Sequence, residues 1–165
     1  MGIILSDRST IVKMSVSKTL SANNTAANVN LFQLTGGIRV KQLSAVLTAK
    51  TTLANMTDVN FNLYDSTSAV AITKLTTLTT STAVVGSVIA KTAIVATVAG
   101  YSTTAAGAVF EGTTPFLDFM FAALQKIGAN TYIRFGYTTT DAPIACTWKF
   151  FIEYESIDGG YLTIV

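Results

Sequence analysis

Glu153 and Glu155 are the closest pair of carboxylates in this 165-residue chain, and two carboxylates are the minimum that glycoside hydrolysis requires. Two residues apart on an extended strand, they share a face with backbones about 7 Å apart. The plainer reading is that they solvate that face or pair with Lys149, which lies on it too. Asp58, Asp65, Glu111, Asp118 and Asp141 stand alone and mostly flank turns. No acidic loop gathers the roughly six oxygens that a calcium ion takes. The chain has no histidine, which removes the commonest general base, the Ser-His-Asp and Cys-His arrangements and most zinc sites. Cys146 is the single cysteine, so no internal disulfide and no CxxC metal clip can form. Its neighbours Trp148 and Phe150 make it a small buried hydrophobe. Gly100, Gly107 and Gly112 are too irregularly spaced to cradle a phosphate. The residues therefore point to no catalytic, cofactor or metal site, and they argue against an enzyme.

Aromatic rings are the other candidates, because sandwich lectins hold sugars on exposed rings. Tyr64, Tyr101, Tyr132, Phe151 and Tyr161 fall in loops or on faces turned away from the core. Subunit contact or ordinary packing is a better account of them than a sugar platform. Phe151 says most, since a large ring on a wet strand face implies a cover from another sheet edge, a loop or a neighbour.

The elements that position these residues read as strands. Cys146, Trp148, Phe150, Ile152 and Tyr154 alternate with Thr147, Lys149, Phe151, Glu153 and Glu155, the pattern of a half-buried strand. Asp158-Gly159-Gly160 reads as a turn, followed by an apolar tail, 161–165. A first strand is expected over Thr10 to Leu20, turn chemistry over Ser21 to Asn28, and a strand over Val29 to Thr35. Gly36-Gly37 is expected to break that strand in a tight connection. Ile38 to Ala49 forms the next, with Ile38, Val40, Ser44 and Val46 on one side and Arg39, Lys41, Leu43 and Leu47 on the other. Val59, Phe61 and Leu63 alternate with Asn60, Asn62 and Tyr64. The Thr-, Ala- and Val-rich middle, 66–114, reads as short strands joined by surface loops. In it Thr76 to Thr82 and Ala93 to Ala99 are candidate strands, and Val84 to Ala90 is a strand or a helical turn. Phe116 to Leu124 suits a strand or a short helix, and Thr131 to Tyr137 a strand. The fold class is all-β: an antiparallel β-sandwich, jelly-roll-like, with apolar N- and C-terminal arms. Its organisation is an arm (1–9), one sandwich domain (10–160) and a tail (161–165).

Composition narrows the partners. Half the residues are hydrophobic and only 12% are charged, against about a quarter charged in ordinary soluble domains. A membrane span needs about 20 apolar residues, and the best run, Phe116 to Leu124, is short and carries Asp118. The first residues lack the basic start and long apolar core of a signal peptide; Gly2 and Ser6 fit a myristoylation pattern only loosely. Net charge is +2, and the cations are scattered apart from Arg39 and Lys41, so nothing forms the stripe that nucleic acid requires. Burial against other proteins is the better account of the apolar composition.

Three stretches carry a resemblance: Val29 to Thr48 with its strand, Thr35-Gly36-Gly37, strand order; Ile127 to Phe135; and Thr147 to Gly160. They resemble the small β-sandwich structural proteins of tailed bacteriophages, of the capsid decoration, cement or head-fibre kind, and the likeness covers the two end regions of the chain. It implies a non-enzymatic virion protein on the exterior of the capsid or tail, made in the host cytoplasm and often trimeric. Its partners would be its own copies and other virion proteins such as the major capsid protein, with no cofactor and no direct nucleic-acid contact. Ile3, Ile4, Leu5, Phe151, Tyr161, Leu162, Ile164 and Val165 are the candidate assembly contacts. The rival expectation is a receptor- or glycan-binding head-fibre or tail module; a jelly-roll coat protein enclosing a genome fits the fold but lacks a basic arm.

Overall fold

In a computed structural model the described residues are 10–22, 25–52, 54–72, 76–78, 82–91, 98–101, 121–139 and 144–165. They contain no helix. Ten antiparallel strands are present among them: β1 (Ile11–Ala22), β2 (Ala26–Thr52), β3 (Met56–Tyr64), β4 (Ala69–Ala71), β5 (Thr76–Leu78), β6 (Val88–Lys91), β7 (Val98–Tyr101), β8 (Phe121–Leu124), β9 (Thr131–Thr139) and β10 (Ile144–Ile164). The all-β expectation holds. Val84 to Ala90 resolves into a turn followed by β6, and the end of the Phe116–Leu124 segment into β8 rather than a helix; 116–120 and 93–97 lie outside the described residues.

β2 has 27 residues and β10 has 21, far beyond the usual five or six, and they are paired along most of their length. Their length is what builds two layers. In the first layer, residues 144–157 of β10 lie between β1 and the second half of β2, whose far edge carries β8 and β6. In the second layer, residues 161–164 of β10 flank the first half of β2, followed by β9, β3 and β4. Phe135 faces Val29 across one edge of β2, and Phe150 faces Ala45 across the other. Sixteen residues of straight strand would hold these rings about 53 Å apart. Their centroids are 5.1 Å apart, so β2 folds over on itself, taking β10 with it.

The fold-over lies at the glycines. Between the pairs Ile157–Gly37 and Tyr161–Thr35, three residues of β10 oppose the single Gly36 of β2. Gly36 has φ +69° and Gly159 φ +78°, conformations that cost a side-chain-bearing residue about 1–2 kcal/mol. A Cβ on Gly160 would lie 1.9 Å from the Gly37 carbonyl oxygen, and one on Gly36 would lie 3.0 Å from the Gly160 Cα. Gln125, just past β8, meets the polar groups of the bend: its Oε1 accepts from the Gly36 N–H at 2.9 Å and its own N–H donates to the Gly36 carbonyl at 2.8 Å. Neither glycine pair ends a strand. This corrects two expectations, that Gly36-Gly37 is a break and that Asp158-Gly159-Gly160 is a turn: both are bends inside continuous strands, because each pair finds its backbone partner in the other.

β-Bulges correct the face assignment of β2. Lys41 is skipped between the pairs Glu153–Gln42 and Tyr154–Val40, and an extra residue reverses which side the following positions face. Ile38 and Val40 before the bulge, and Leu43, Ala45 and Leu47 after it, are all buried on the inner side. Strict alternation had placed Ile38 and Val40 opposite Leu43 and Leu47. A second bulge at Leu31 does the same for Val29 and then Phe32 and Leu34. On β10 the alternation holds as expected, with Cys146, Trp148, Phe150, Ile152 and Tyr154 buried.

The core lies between the layers. Phe61 and Phe135 of the second layer meet Phe150 of the first, with Phe61–Phe150 edge-on at 6.3 Å, a geometry worth about 0.5–1.5 kcal/mol per pair beyond burial. At the rim Lys18 of β1 donates to the Val165 carbonyl, and the Val165 N–H donates to Leu31. A side chain on Gly160 has only backbone to displace. Gly160→Ala is therefore expected to lower unfolding stability by about 3 kcal/mol or more, measured by urea titration. Gly86→Ala, at φ +97° with open space around it, costs only about 1–2 kcal/mol.

Candidate functional site

The outer side of the first layer holds the charged candidates. Glu153 pairs with Lys13 at 2.7 Å, and the buried Glu155 with Lys41 at 2.9 Å and Arg39 at 3.5 Å. The carboxylates thus pair with cations on the flanking strands, not with Lys149. Lys149 instead lies 5.3 Å from the centroid of the half-buried Phe151 ring. Among the described residues no group of three or more Cys, Asp or Glu side chains is placed to hold a metal.

Cys146 borders a shallow pocket of about 130 Å³ with Thr19, Lys50 and Thr147. Burial pushes its thiol above the ordinary value of 9.0. The nearby Trp148 indole tempers that rise, although its N–H makes no formed hydrogen bond among the described residues. Tyr137, on the inner side of β9, is also pushed up from 10.0, first by burial and then by the charge of a Cys146 thiolate, while a backbone hydrogen bond at Ser21 opposes the shift. Both groups are held in their protonated forms.

The C-terminal segment is the candidate assembly surface. Its last residues are no loose tail: Tyr161 to Ile164 continue β10 against Thr35 to Phe32. Tyr161, Ile164 and Val165 are 50%, 55% and 44% exposed, whereas Leu162 is 5% exposed inside the core. Leu162 is therefore corrected from an assembly contact to a core residue, because strand pairing turns it inward beside Leu34. Ile3, Ile4 and Leu5 lie outside the described residues. Leu124 faces Gly37, and Tyr161 faces Thr35, so both side chains stand on the outer side of the bend. Leu124 is 63% exposed, and Ile127 in the following turn is fully exposed. That turn is tied down by Asp65, whose carboxylate accepts from Lys126 Nζ at 2.7 Å and from the Ser68 and Thr67 N–H groups at 2.7 and 3.0 Å. Lys126 foremost, then the Ser68 and Thr67 bonds, hold this carboxyl well below the usual carboxylate range.

Of the five aromatic candidates, the structure sets three on the same side of the second layer. Tyr64 and Tyr132 face each other across β3 and β9, and Tyr161 lies on the same outer side of the second layer. Phe151 lies on the outer side of the first, and the Tyr101 side chain falls outside the described residues. Sequence reasoning missed the residues around Tyr64 and Tyr132: Arg134 and the amides of Asn28, Asn30, Asn60 and Asn62. Two Asn-x-Asn pairs with strand spacing were the available signal.

The thiol and phenol generate a pH expectation. Both folded-state values are raised, so their stabilising contribution is complete below the ordinary values of 9.0 and 10.0 and is lost as pH rises beyond them. Urea unfolding of the wild type should weaken from pH 9 upward. Cys146→Ala costs about 1 kcal/mol at neutral pH through lost packing, but its decline should set in later, near the phenol's range. Parallel profiles for the two proteins would contradict this. No family model, curated protein or solved structure matches the chain.

Proposed function

We propose that this protein is a non-enzymatic structural subunit of a virion, of the capsid decoration or cement kind, that strengthens a shell through protein–protein contacts. The observation that carries the reading is the set of exposed apolar side chains at the bend and the C-terminal end: Leu124 on β8, Ile127 in the turn after it, Tyr161 and Ile164 on β10, and Val165 just past it. Leu124 and Tyr161 share the outer side of the bend, with Ile164 and Val165 following at the strand end. Exposed apolar residues that lie close together mark interaction sites, whereas scattered ones need no explanation. The charge-poor composition and the resemblance of the end regions to phage sandwich proteins support the same reading.

Magnitudes shape the proposal. Completing the burial of an exposed apolar side chain contributes at most about 1.5–3 kcal/mol, while association costs about 4–15 kcal/mol. Five residues meeting one neighbour are marginal; a closed ring of such contacts, one set per subunit, with other surface left to meet a shell, is not. A homotrimer closed by head-to-tail contacts and seated on major capsid subunits, at the exterior of the particle, answers that need.

Deleting 161–165 is a poor test, since it removes Leu162 from the core. Tyr161→Ser combined with Ile164→Ser and Val165→Ser keeps the strand and removes the apolar surface. Native mass spectrometry of the wild type is expected to give a trimer, and the triple variant at equal concentration mostly monomer with an unchanged far-ultraviolet spectrum. A wild type that stays monomeric at high concentration, or a variant that assembles equally well, would overturn the proposal.

A further inference from the structure

The outer side of the second layer, which also carries Tyr161, holds a set of polar rungs distinct from the apolar residues proposed for assembly. Three rungs cross β2, β9 and β3: Asn28, Gly136 and Asn60; Asn30, Arg134 and Asn62; Gln33, Tyr132 and Tyr64. Directly opposed residues of antiparallel strands stand on the same side of the sheet. Amides, phenols and one guanidinium therefore share a patch about 10 Å across the strands and about 14 Å along them, the size of a short oligosaccharide. Gly136 belongs to the design: a Cβ there would lie 3.0 Å from both Asn28 Oδ1 and Asn60 Nδ2, so its absence lets the two amides approach.

Arg134 is the one cation on these rungs, and it has no carboxylate partner in the ion pairs of the described residues. Its position is built from both sides. Its Nε donates to Asn62 Oδ1 at 3.1 Å, and Asn62, only 4% exposed, donates in turn to Asn60 Oδ1 at 2.7 Å. The guanidinium carbon lies 3.6 Å from the Tyr64 ring centroid. The Nε position and one flat face are thereby occupied. The Nη1–Nη2 edge is left, and it can take a carboxylate with two parallel hydrogen bonds. Arg134 is half-buried, and burial weighs against its charge while Tyr64 favours it, so an arriving anion would find it poorly hydrated.

The rest of the patch narrows the anion. Nucleic acid requires a run of cations, and here there is one. Amides both donate and accept, which suits hydroxyl-rich ligands, and tyrosine rings offer an apolar face with a polar tip. The geometry points to a subsite for an acidic saccharide, in which Arg134 grips a sugar carboxylate while Tyr132, Asn28 and Asn30 meet the adjoining rings and hydroxyls. Asn60 is engaged at both ends, donating to the Asp58 carbonyl and accepting from Asn62. The inference is independent of the assembly reading, because it concerns the subunit in any oligomeric state.

The test is calorimetric titration of the whole protein with trigalacturonate, a hyaluronan tetrasaccharide and sialyllactose, each beside its methyl ester. At least one acid is expected to bind with a Kd on the order of 1 mM or tighter, and its ester at least about tenfold more weakly. Arg134→Lys keeps the charge but loses the fork and should also weaken binding about tenfold or more; Tyr132→Ala should weaken it with the thermal midpoint retained. Failure of all three acids to bind would overturn the inference. So would an ester that binds equally, Arg134→Lys and Tyr132→Ala variants that bind as the wild type does, or equal competition by duplex DNA at physiological salt.

Discussion

Two paired strands can fold over together only where no side chain stands between their backbones, and here that place is the contact of Gly36 and Gly37 with Gly159 and Gly160. A Cβ on Gly160 would lie 1.9 Å from the Gly37 carbonyl oxygen, well inside any van der Waals contact, so the two backbones touch. Because β10 stays paired to β2 on both sides of this point, one bend creates both layers at once. The aromatic contacts of Phe61, Phe135 and Phe150 follow from it, since they join residues that lie far apart along β2.

The same constraint explains the bulges. A 27-residue strand that turns a corner must keep presenting its apolar residues inward although its twist and direction change. Skipping Lys41 moves Leu43, Ala45 and Leu47 to the side already held by Ile38 and Val40, and skipping Leu31 brings Phe32 and Leu34 inward after Val29. Without those two extra residues, half of the apolar side chains of β2 would face solvent.

What could be read from the amino acids alone followed local physics. The β10 alternation, the inward Val59 and Phe61 and the buried Cys146 were legible because a period of two needs only neighbouring residues. The bend was not, because Gly-Gly reads as a break until its partner across the sheet is known, and that partner lies more than a hundred positions away. Leu162 was misjudged for the same reason: only pairing with Leu34 turns it inward. Among the functional candidates, Tyr64, Tyr132 and Tyr161 were legible as rings outside the core. Arg134 was not, since its significance comes from Asn62 and Tyr64 on a neighbouring strand.

The surfaces named in both proposals are set in place by one bend. Its outer side displays the exposed Leu124 and Tyr161, while the outer side of the second layer also carries the amide and tyrosine rungs. All of this requires that β2 and β10 fold over at the glycines and bring β9 against the N-terminal half of β10. Nuclear Overhauser contacts between the ring protons of Phe135 and Phe150 measure that directly. The account predicts strong cross-peaks between the two rings. Their absence, with Phe135 contacting only residues of its own layer, would contradict it.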